Sequence, residues 1–338
     1  MAGGTKILVA RVGRAGDLVM VTPALDSLLA AFPDAELHLL TTAEGARVLR
    51  GFDARLTRTW LYKRRFPRAL WLRPRLARAF RDEGYARAYV FETHPHYVRW
   101  LAGAAREVFG LGAAAPGVHY AERCLAAVES SVDAPPPRGR ARLPVSEAGA
   151  ARARALLAAH GVTDDAPLVG LHPTFSGSTW SGLHDRRGRR HRHWPRESFA
   201  RLGRLLADRA RAEGRPLAVV VDVLPAERRA IQPLVDESGG AITLLAAPPD
   251  FERYKGLLAR LDVLVAPNTG PMHMAAAVGT RVVALFSGWD TADCGPYAEP
   301  DRVTVVSAAG APDAERGLAA IAPERVADAV FRMLDAGR

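Results

Sequence analysis

The chain has 338 residues with 49% apolar content, more than a single hydrophobic core usually serves, which predicts two domains. Its two cysteines, Cys124 and Cys294, exclude a disulfide scaffold and suit a reducing cytoplasm. No secretory h-region opens the chain, and no apolar run has the length of a membrane span. The net charge of +10 points to anionic partners. Only Lys6, Lys63 and Lys255 among the 46 basic residues are lysine, a bias that genome composition can produce, so the placement of charge says more than its total.

Lys6–Val12 is an apolar strand, and Gly13-Arg14-Ala15-Gly16-Asp17 follows as a glycine turn. Leu18 to Phe32 has helical apolar spacing, with an irregular start or kink predicted at Pro23. Strands are expected at Ala35–Thr41, Thr57–Tyr62 and Ala86–Thr93, with a short helix at Ala43–Arg50 and a basic helix at Arg68–Glu83. Composition shifts at Asp133–Pro144, where three consecutive prolines precede Gly and Arg, and the domain boundary is placed there. This gives an N-terminal domain over 1–145 and a C-terminal one over 146–338, the last helix being a candidate to pack back on the first domain. A helix over Ser146–His160 opens the second half. Strands at Leu168–His172, Leu217–Asp222, Ala241–Leu245, Asp262–Ala266, Arg281–Phe286 and Arg302–Val306 then alternate with helices, the last of them Pro323–Leu334. Such alternation predicts two doubly wound α/β halves with parallel sheets, whose ligands lie at the carboxyl ends of the strands.

Four stretches could carry chemistry. Gly13 and Gly16 allow close backbone approach, and Asp17 at the mouth of that turn is either a helix-capping carboxylate or a general base. The spacing is neither a dinucleotide fingerprint nor a P-loop. The loop from His172 through Thr174 and Ser176 to Arg192-His193-Trp194-Pro195 gathers hydroxyls and arginines ahead of a helix, and Arg192 has the geometry to fork onto a phosphate. Lys63-Arg64-Arg65 and Arg68 lead into a helix that interleaves arginines with Trp71, Leu72 and Phe80. That pattern suits an anionic membrane surface or phosphorylated lipid, or equally a solvated helix face. Finally, Val265 to Ala277 reads as strand end, tight turn and helix start, with Thr269 at the cap and Pro271 in the first turn. It is an ordinary strand–helix connection or an anion-binding one. No metal-ligand spacing and no nucleic-acid module is present.

Taken together, these stretches resemble glycosyltransferase family nine, the heptosyltransferases of lipopolysaccharide core synthesis. The matching pieces, in family order, are Lys6-Ile7-Leu8-Val9 into Gly16-Asp17, Thr22-Pro23-Ala24-Leu25, His172-Pro173, Arg192-His193-Trp194-Pro195, and Asn268-Thr269-Gly270-Pro271-Met272-His273-Met274-Ala275-Ala276-Ala277. The chain carries Asn268 where members often have aspartate, and Arg192 where lysine is common. The resemblance implies a GT-B architecture of two Rossmann-like domains facing a cleft. It implies inverting, metal-independent transfer of a sugar from a nucleotide diphosphate, typically ADP-heptose, with no cofactor. It implies that Asp17 is the base and that His172, Thr174, Ser176, Arg192, Trp194, Asn268, Thr269, Gly270, Met272 and His273 hold the donor. Gly16, Lys63, Arg64, Arg65 and Arg68 would meet a phosphorylated glycolipid or glycan acceptor, at the cytoplasmic face of the inner membrane. Two other readings are a GT-B-shaped epimerase or phosphorylase, and a non-catalytic nucleotide-sugar-binding protein; direct nucleic-acid binding is set aside.

Overall fold

The computed structural model describes residues 5–63, 68–113, 115–163, 165–173, 193–288, 291–311 and 313–337. The chain divides into two compact units, Met1–Pro144 with Ala292–Tyr297, and Val145–Thr291 with Ala298–Arg338.

The first unit is built on five parallel strands: β1 (Lys6–Ala10), β2 (Glu36–Thr41), β3 (Leu56–Leu61), β4 (Tyr85–Val90) and β5 (Ala105–Gly110). Their order is β3-β2-β1-β4-β5. Residues Ile7 to Ala10 are fully buried, as expected of a strand covered by helices on both faces. The helices are α1 (Ala15–Val19), α2 (Thr22–Ala31), α3 (Ala43–Val48), α4 (Arg68–Glu83), α5 (Pro95–Leu101) and α6 (Tyr120–Glu129). The irregularity predicted near Pro23 is a break between α1 and α2. Pro23 occupies the first turn of α2, and the Thr22 hydroxyl closes α1 by donating to the Val19 carbonyl at 2.7 Å. The fifth strand was not foreseen: AREVFG carries two charges and lies at an edge, where its side chains are largely half-buried or exposed.

The second unit holds six parallel strands, β6 (Leu168–Leu171), β7 (Ala218–Val223), β8 (Thr243–Ala246), β9 (Val263–Pro267), β10 (Arg281–Phe286) and β11 (Val303–Ser307), ordered β11-β10-β9-β6-β7-β8. Its first helix, α7 (Glu147–Ala159), starts where Ser146 accepts the Gly149 N–H. The helix crosses Phe251–Arg260 at a glycine contact so tight that a Cβ on Gly256 would stand 2.6 Å from the Gly149 carbonyl oxygen. The final helix, Pro323–Asp335, packs in the second unit's core, where Val326, Val330, Phe331 and Leu334 join Val265, Val283 and Val306.

The proline-rich segment after Asp133 is strapped to the first unit rather than hanging as a linker. The Arg142 N–H donates to the Thr22 hydroxyl at 3.1 Å, and its guanidinium forks onto Asp26 at 2.6 and 2.8 Å. Arg138 pairs with Glu129 and Glu122. The Ala292–Tyr297 segment docks on the same surface. The Tyr297 ring stacks on His119 at 4.9 Å, its carbonyl accepts the Ala141 N–H at 2.9 Å, and its hydroxyl donates to Glu122.

Two histidines of this unit, His38 buried and His119 half-buried, sit where protonation is opposed. His38 is desolvated and faces Arg58 and Lys6, so it is held below the ordinary imidazole value. His119 is lowered chiefly by burial, and its Nδ1 already accepts the Ala121 N–H at 3.1 Å. A lowered folded-state value means that the neutral form stabilises the fold. That stability is present above the unfolded value, about 6.5, and is lost as pH falls below it. Thermal melts between pH 7.5 and 5 should show the melting temperature falling on the acid side. His38→Gln keeps an acceptor for the Tyr85 hydroxyl, which lies 2.7 Å from His38 Nδ1, and should flatten that slope.

Candidate functional site

In both sheets the strand order reverses at one place, and Asp17 lies beside the first reversal while His172 and Asn268–Gly270 lie beside the second. In the first unit the reversal falls between β1 and β4, and in the second between β6 and β9. Helical crossovers leave opposite faces of the sheet on either side of such a point, so a crevice opens at the carboxyl ends of those strands.

At the first reversal, β1 runs through Arg11 and Val12 into the glycine turn. Asp17 lies in the first turn of α1 and serves as its cap: one carboxylate oxygen accepts the Arg14 N–H at 2.8 Å. The other oxygen pairs with the Arg11 guanidinium at 2.8 Å, and the side chain keeps 33% exposure. Both readings open for Asp17 are therefore structurally compatible, since capping leaves lone pairs facing solvent. Gly13 is required at its position, because a Cβ there would stand 2.5 Å from Asp17 Cβ and 2.6 Å from Oδ2. The turn is further held by Glu44, which accepts the Ala15 N–H at 2.9 Å, and by Thr42, which donates to the Gly13 carbonyl at 2.9 Å. Gly16 is buried.

Arg11 ties this turn to β4. The residue is only 7% exposed. It donates to the Phe91 carbonyl at 3.1 Å, lies 3.5 Å from the carboxylate of Glu92, and sits 4.7 Å from the centre of the Tyr120 ring. Glu92, itself 5% exposed, accepts the Val12 N–H. Burial works to lower the Arg11 value, but Tyr120, Asp17 and Glu92 outweigh it and hold the guanidinium above its ordinary range. Tyr120 is fixed by donating to the Phe91 carbonyl, and burial pushes its phenol well above the usual value. None of Arg11, Glu92 and Tyr120 had been singled out. Charged residues just past two apolar strands, KILVAR and ARAYVFE, were the available signal.

At the second reversal, the His172 N–H donates to the Val265 carbonyl at 2.9 Å, extending β6 along β9. This register brings His172 beside the strand end that leads into Asn268, Thr269 and Gly270. Thr269 occupies the cap position of the helix Gly270–Ala277, but its hydroxyl turns back to the Pro267 carbonyl at 3.1 Å instead of capping the helix. No side chain of that residue covers the first-turn N–H groups, which are the groups an anion would meet.

Three of the residues expected to hold the donor are buried. Trp194 is wholly buried, its indole N–H donates to the Ile321 carbonyl at 3.0 Å, and its ring meets Phe199 edge-on at 4.7 Å. It anchors the core and has no surface left for a ligand. Met272 is also fully buried and His273 is 5% exposed, because the helix Gly270–Ala277 is central to its unit. What that turn offers a ligand is backbone. Thr174, Ser176, Arg192, Arg64 and Arg65 lie outside the described residues, as does the side chain of Arg68. Lys63 is exposed just past the end of β3. Among the described residues no group of three or more His, Cys, Asp or Glu side chains could hold a metal ion, and no helix is long and apolar enough to cross a membrane.

Two substitutions test these placements. Gly13→Ala should drive the Asp17 carboxylate off Arg11, which a crystal structure of the variant would record directly. Trp194→Ala should cost about 3–5 kcal/mol in denaturant unfolding, the range for removing a buried tryptophan.

Against solved structures the chain is similar over nearly its whole length to glycosyltransferases. The glycosyl transferase family 9 protein from Veillonella parvula matches with a TM-score of 0.79 at 17% identity, over 99% of this chain and 98% of that one. The ADP-heptose lps heptosyltransferase II of E. coli matches at 0.72 and 19%, over 98% of each chain. The E. coli heptosyltransferase WaaC with ADP matches at 0.72 and 17%, over 97% of this chain and 100% of that one. At such identities the likeness speaks for the fold, the two parallel α/β units of the GT-B class. No curated protein sequence matches. The family model for glycosyltransferase family 9 (heptosyltransferase) matches residues 111–319, more than half of the chain, and the chain belongs to that family of glycosyltransferases.

Proposed function

We propose that the chain is an inverting, metal-independent transferase that moves heptose from ADP-heptose to a lipopolysaccharide core or related glycan acceptor, with Asp17 as general base. The observation that carries this reading is the Asp17 carboxylate, clamped by Arg11 and the Arg14 N–H at a strand-order reversal yet one-third exposed. A base must be held still and still be reachable, and a well-placed one contributes about 10²–10⁴-fold.

In this mechanism the acceptor hydroxyl gives its proton to Asp17 as its oxygen attacks the anomeric carbon. The bond from that carbon to the phosphate oxygen breaks, and ADP departs with the electron pair. A single displacement from the opposite face inverts the centre. The leaving diphosphate gains negative charge, which a helix N-terminus, backbone N–H groups and cations stabilise. The uncapped turn at Asn268-Thr269-Gly270 and the neighbouring His172 supply such a cradle, with Arg192 the proposed cation. The identity of the nucleotide draws support from the relative WaaC, whose structure contains ADP.

The acceptor is assigned to the first unit, beside Gly16 and the basic stretch from Lys63 to Arg68. Trp71, at 76% exposure, shares an exposed stripe of α4 with Arg75 and Arg78, at spacings of four and three. An exposed tryptophan among arginines suits a cytoplasmic enzyme that touches an anionic membrane surface.

Asp17→Asn and Asp17→Ala should reduce transfer from ADP-heptose to a heptose-deficient core acceptor by about 10²–10⁴-fold, while ADP binding by calorimetry stays unchanged. Full activity in a folded Asp17→Asn protein would remove the base assignment. Acceptor-free conversion of a nucleotide sugar would instead favour an epimerase.

A further inference from the structure

Asp17 shares the glycine turn with a second carboxylate that the base assignment does not use. Glu44 lies in the first turn of α3, just past the carboxyl end of β2, which pairs with β1. One of its oxygens accepts the Ala15 N–H at 2.9 Å. The preceding peptide N–H, that of Arg14, goes to Asp17 at 2.8 Å. Two carboxylates thus hold consecutive amides of one turn, Asp17 from α1 itself and Glu44 from the connection after the next strand.

The two differ in how their charge is met. Asp17 pairs with Arg11 at 2.8 Å. Asp26, Asp53, Glu83 and Glu92 of the same unit also stand within ion-pair distance of an arginine or lysine. Glu44 has no such partner among the described residues, although the chain carries a net charge of +10. Its second oxygen receives no hydrogen bond from them either, and the residue is half-buried, so solvent still reaches it. The Ala15 N–H uses one of the roughly four lone-pair sites of the carboxylate. Holding the turn therefore explains one oxygen of Glu44 and leaves its charge and its other oxygen without a role.

The place of that oxygen decides what chemistry suits it. A sugar whose hydroxyl meets Asp17 lies against the turn that Glu44 also holds. An anionic substituent there would be repelled by a charge that no arginine offsets. A neutral hydroxyl would donate to it in a charge-assisted hydrogen bond. Glu44 is also held still enough to discriminate, since Thr42 fixes both the turn, through the Gly13 carbonyl, and the start of α3, through the Gly45 N–H.

We propose that Glu44 selects the acceptor: its free oxygen accepts a hydroxyl on the same sugar ring as the hydroxyl that Asp17 deprotonates. This rests on the reading that the first unit binds the acceptor and that Asp17 is the base. Glu44 is then a specificity-determining residue. It favours a neutral, hydroxyl-bearing ring at the point of transfer and disfavours a ring that carries a phosphate or carboxylate there.

The test is calorimetry of the full chain with the heptose-deficient core acceptor and no donor, so that nothing reacts. The acceptor is compared with forms that each lack one hydroxyl of its terminal sugar. In the parent, loss of one hydroxyl other than the reacting one should weaken binding by about tenfold or more, the loss of a hydrogen bond to a charged group. Glu44→Gln keeps an acceptor for the Ala15 N–H but loses the charge. It should bind the full acceptor about tenfold more weakly and lose most of that preference. Should Glu44→Gln not fold, Glu44→Ala is read in the same way. Thr42→Val loosens the turn without removing the carboxylate and should keep the preference. A preference undiminished in the folded Glu44 variant, or lost equally in Thr42→Val, overturns the contact, as does a parent indifferent to every missing hydroxyl. Asp17→Asn should keep the preference while losing transfer, so failure of the base assignment and failure of the contact are read separately. A parent that does not bind the acceptor overturns the acceptor reading and the contact together.

Discussion

The contact on which the candidate site depends is the ion pair between Arg11 and Asp17. An arginine only 7% exposed at the end of a buried strand is costly unless its charge and donors are met. Here Asp17, Glu92, the Phe91 carbonyl and the Tyr120 ring meet the charge and the terminal nitrogens, while the buried Nε has no hydrogen-bond partner among the described residues. The result is a cross-brace between the ends of β1 and β4, the two strands that flank the reversal of the sheet. Removing one member leaves another buried charge uncompensated, so the brace is expected to behave as a unit. Asp17 is its exposed end, and the conformation of Asp17 is thereby set by residues the solvent barely touches.

The glycine turn is the second half of the same constraint. Gly13 leaves the space that the Asp17 carboxylate fills, while Glu44 and Thr42 hold the turn from α3 and the chain just before it. In the second unit the logic is inverted. The side chains of the helix Gly270–Ala277 are committed to the core, and Thr269 directs its hydroxyl away from the helix start. One unit thus presents a fixed carboxylate and the other a fixed backbone turn, each at its own strand-order reversal. A proposed base needs the first, and a departing diphosphate needs the second.

Much of this architecture was legible in the residues. Buried parallel strands leave unbroken apolar runs such as KILVA and VLVAP, and Pro23 marked the break between α1 and α2. The fifth strand was missed because an edge strand half open to solvent need not be apolar. The site was legible in part. Glycine turns announced Asp17 and Thr269, but Arg11 was one arginine among many in a chain rich in them, and Glu92 read as the tail of a strand. Burial, which turns those two from surface charges into a brace, is a property of the fold and not of the local pattern. The motif around Trp194 likewise does not reveal that the Ile321 carbonyl accepts the indole N–H.

The most direct measurement is the pair kcat for heptose transfer and Kd for ADP in Arg11→Gln and Arg11→Lys. If Arg11 aims the proposed base, Arg11→Gln loses about 10²-fold or more in kcat, Arg11→Lys recovers part of it, and ADP binding is unchanged in both. A folded Arg11→Gln protein that turns over at the parent rate would contradict the account.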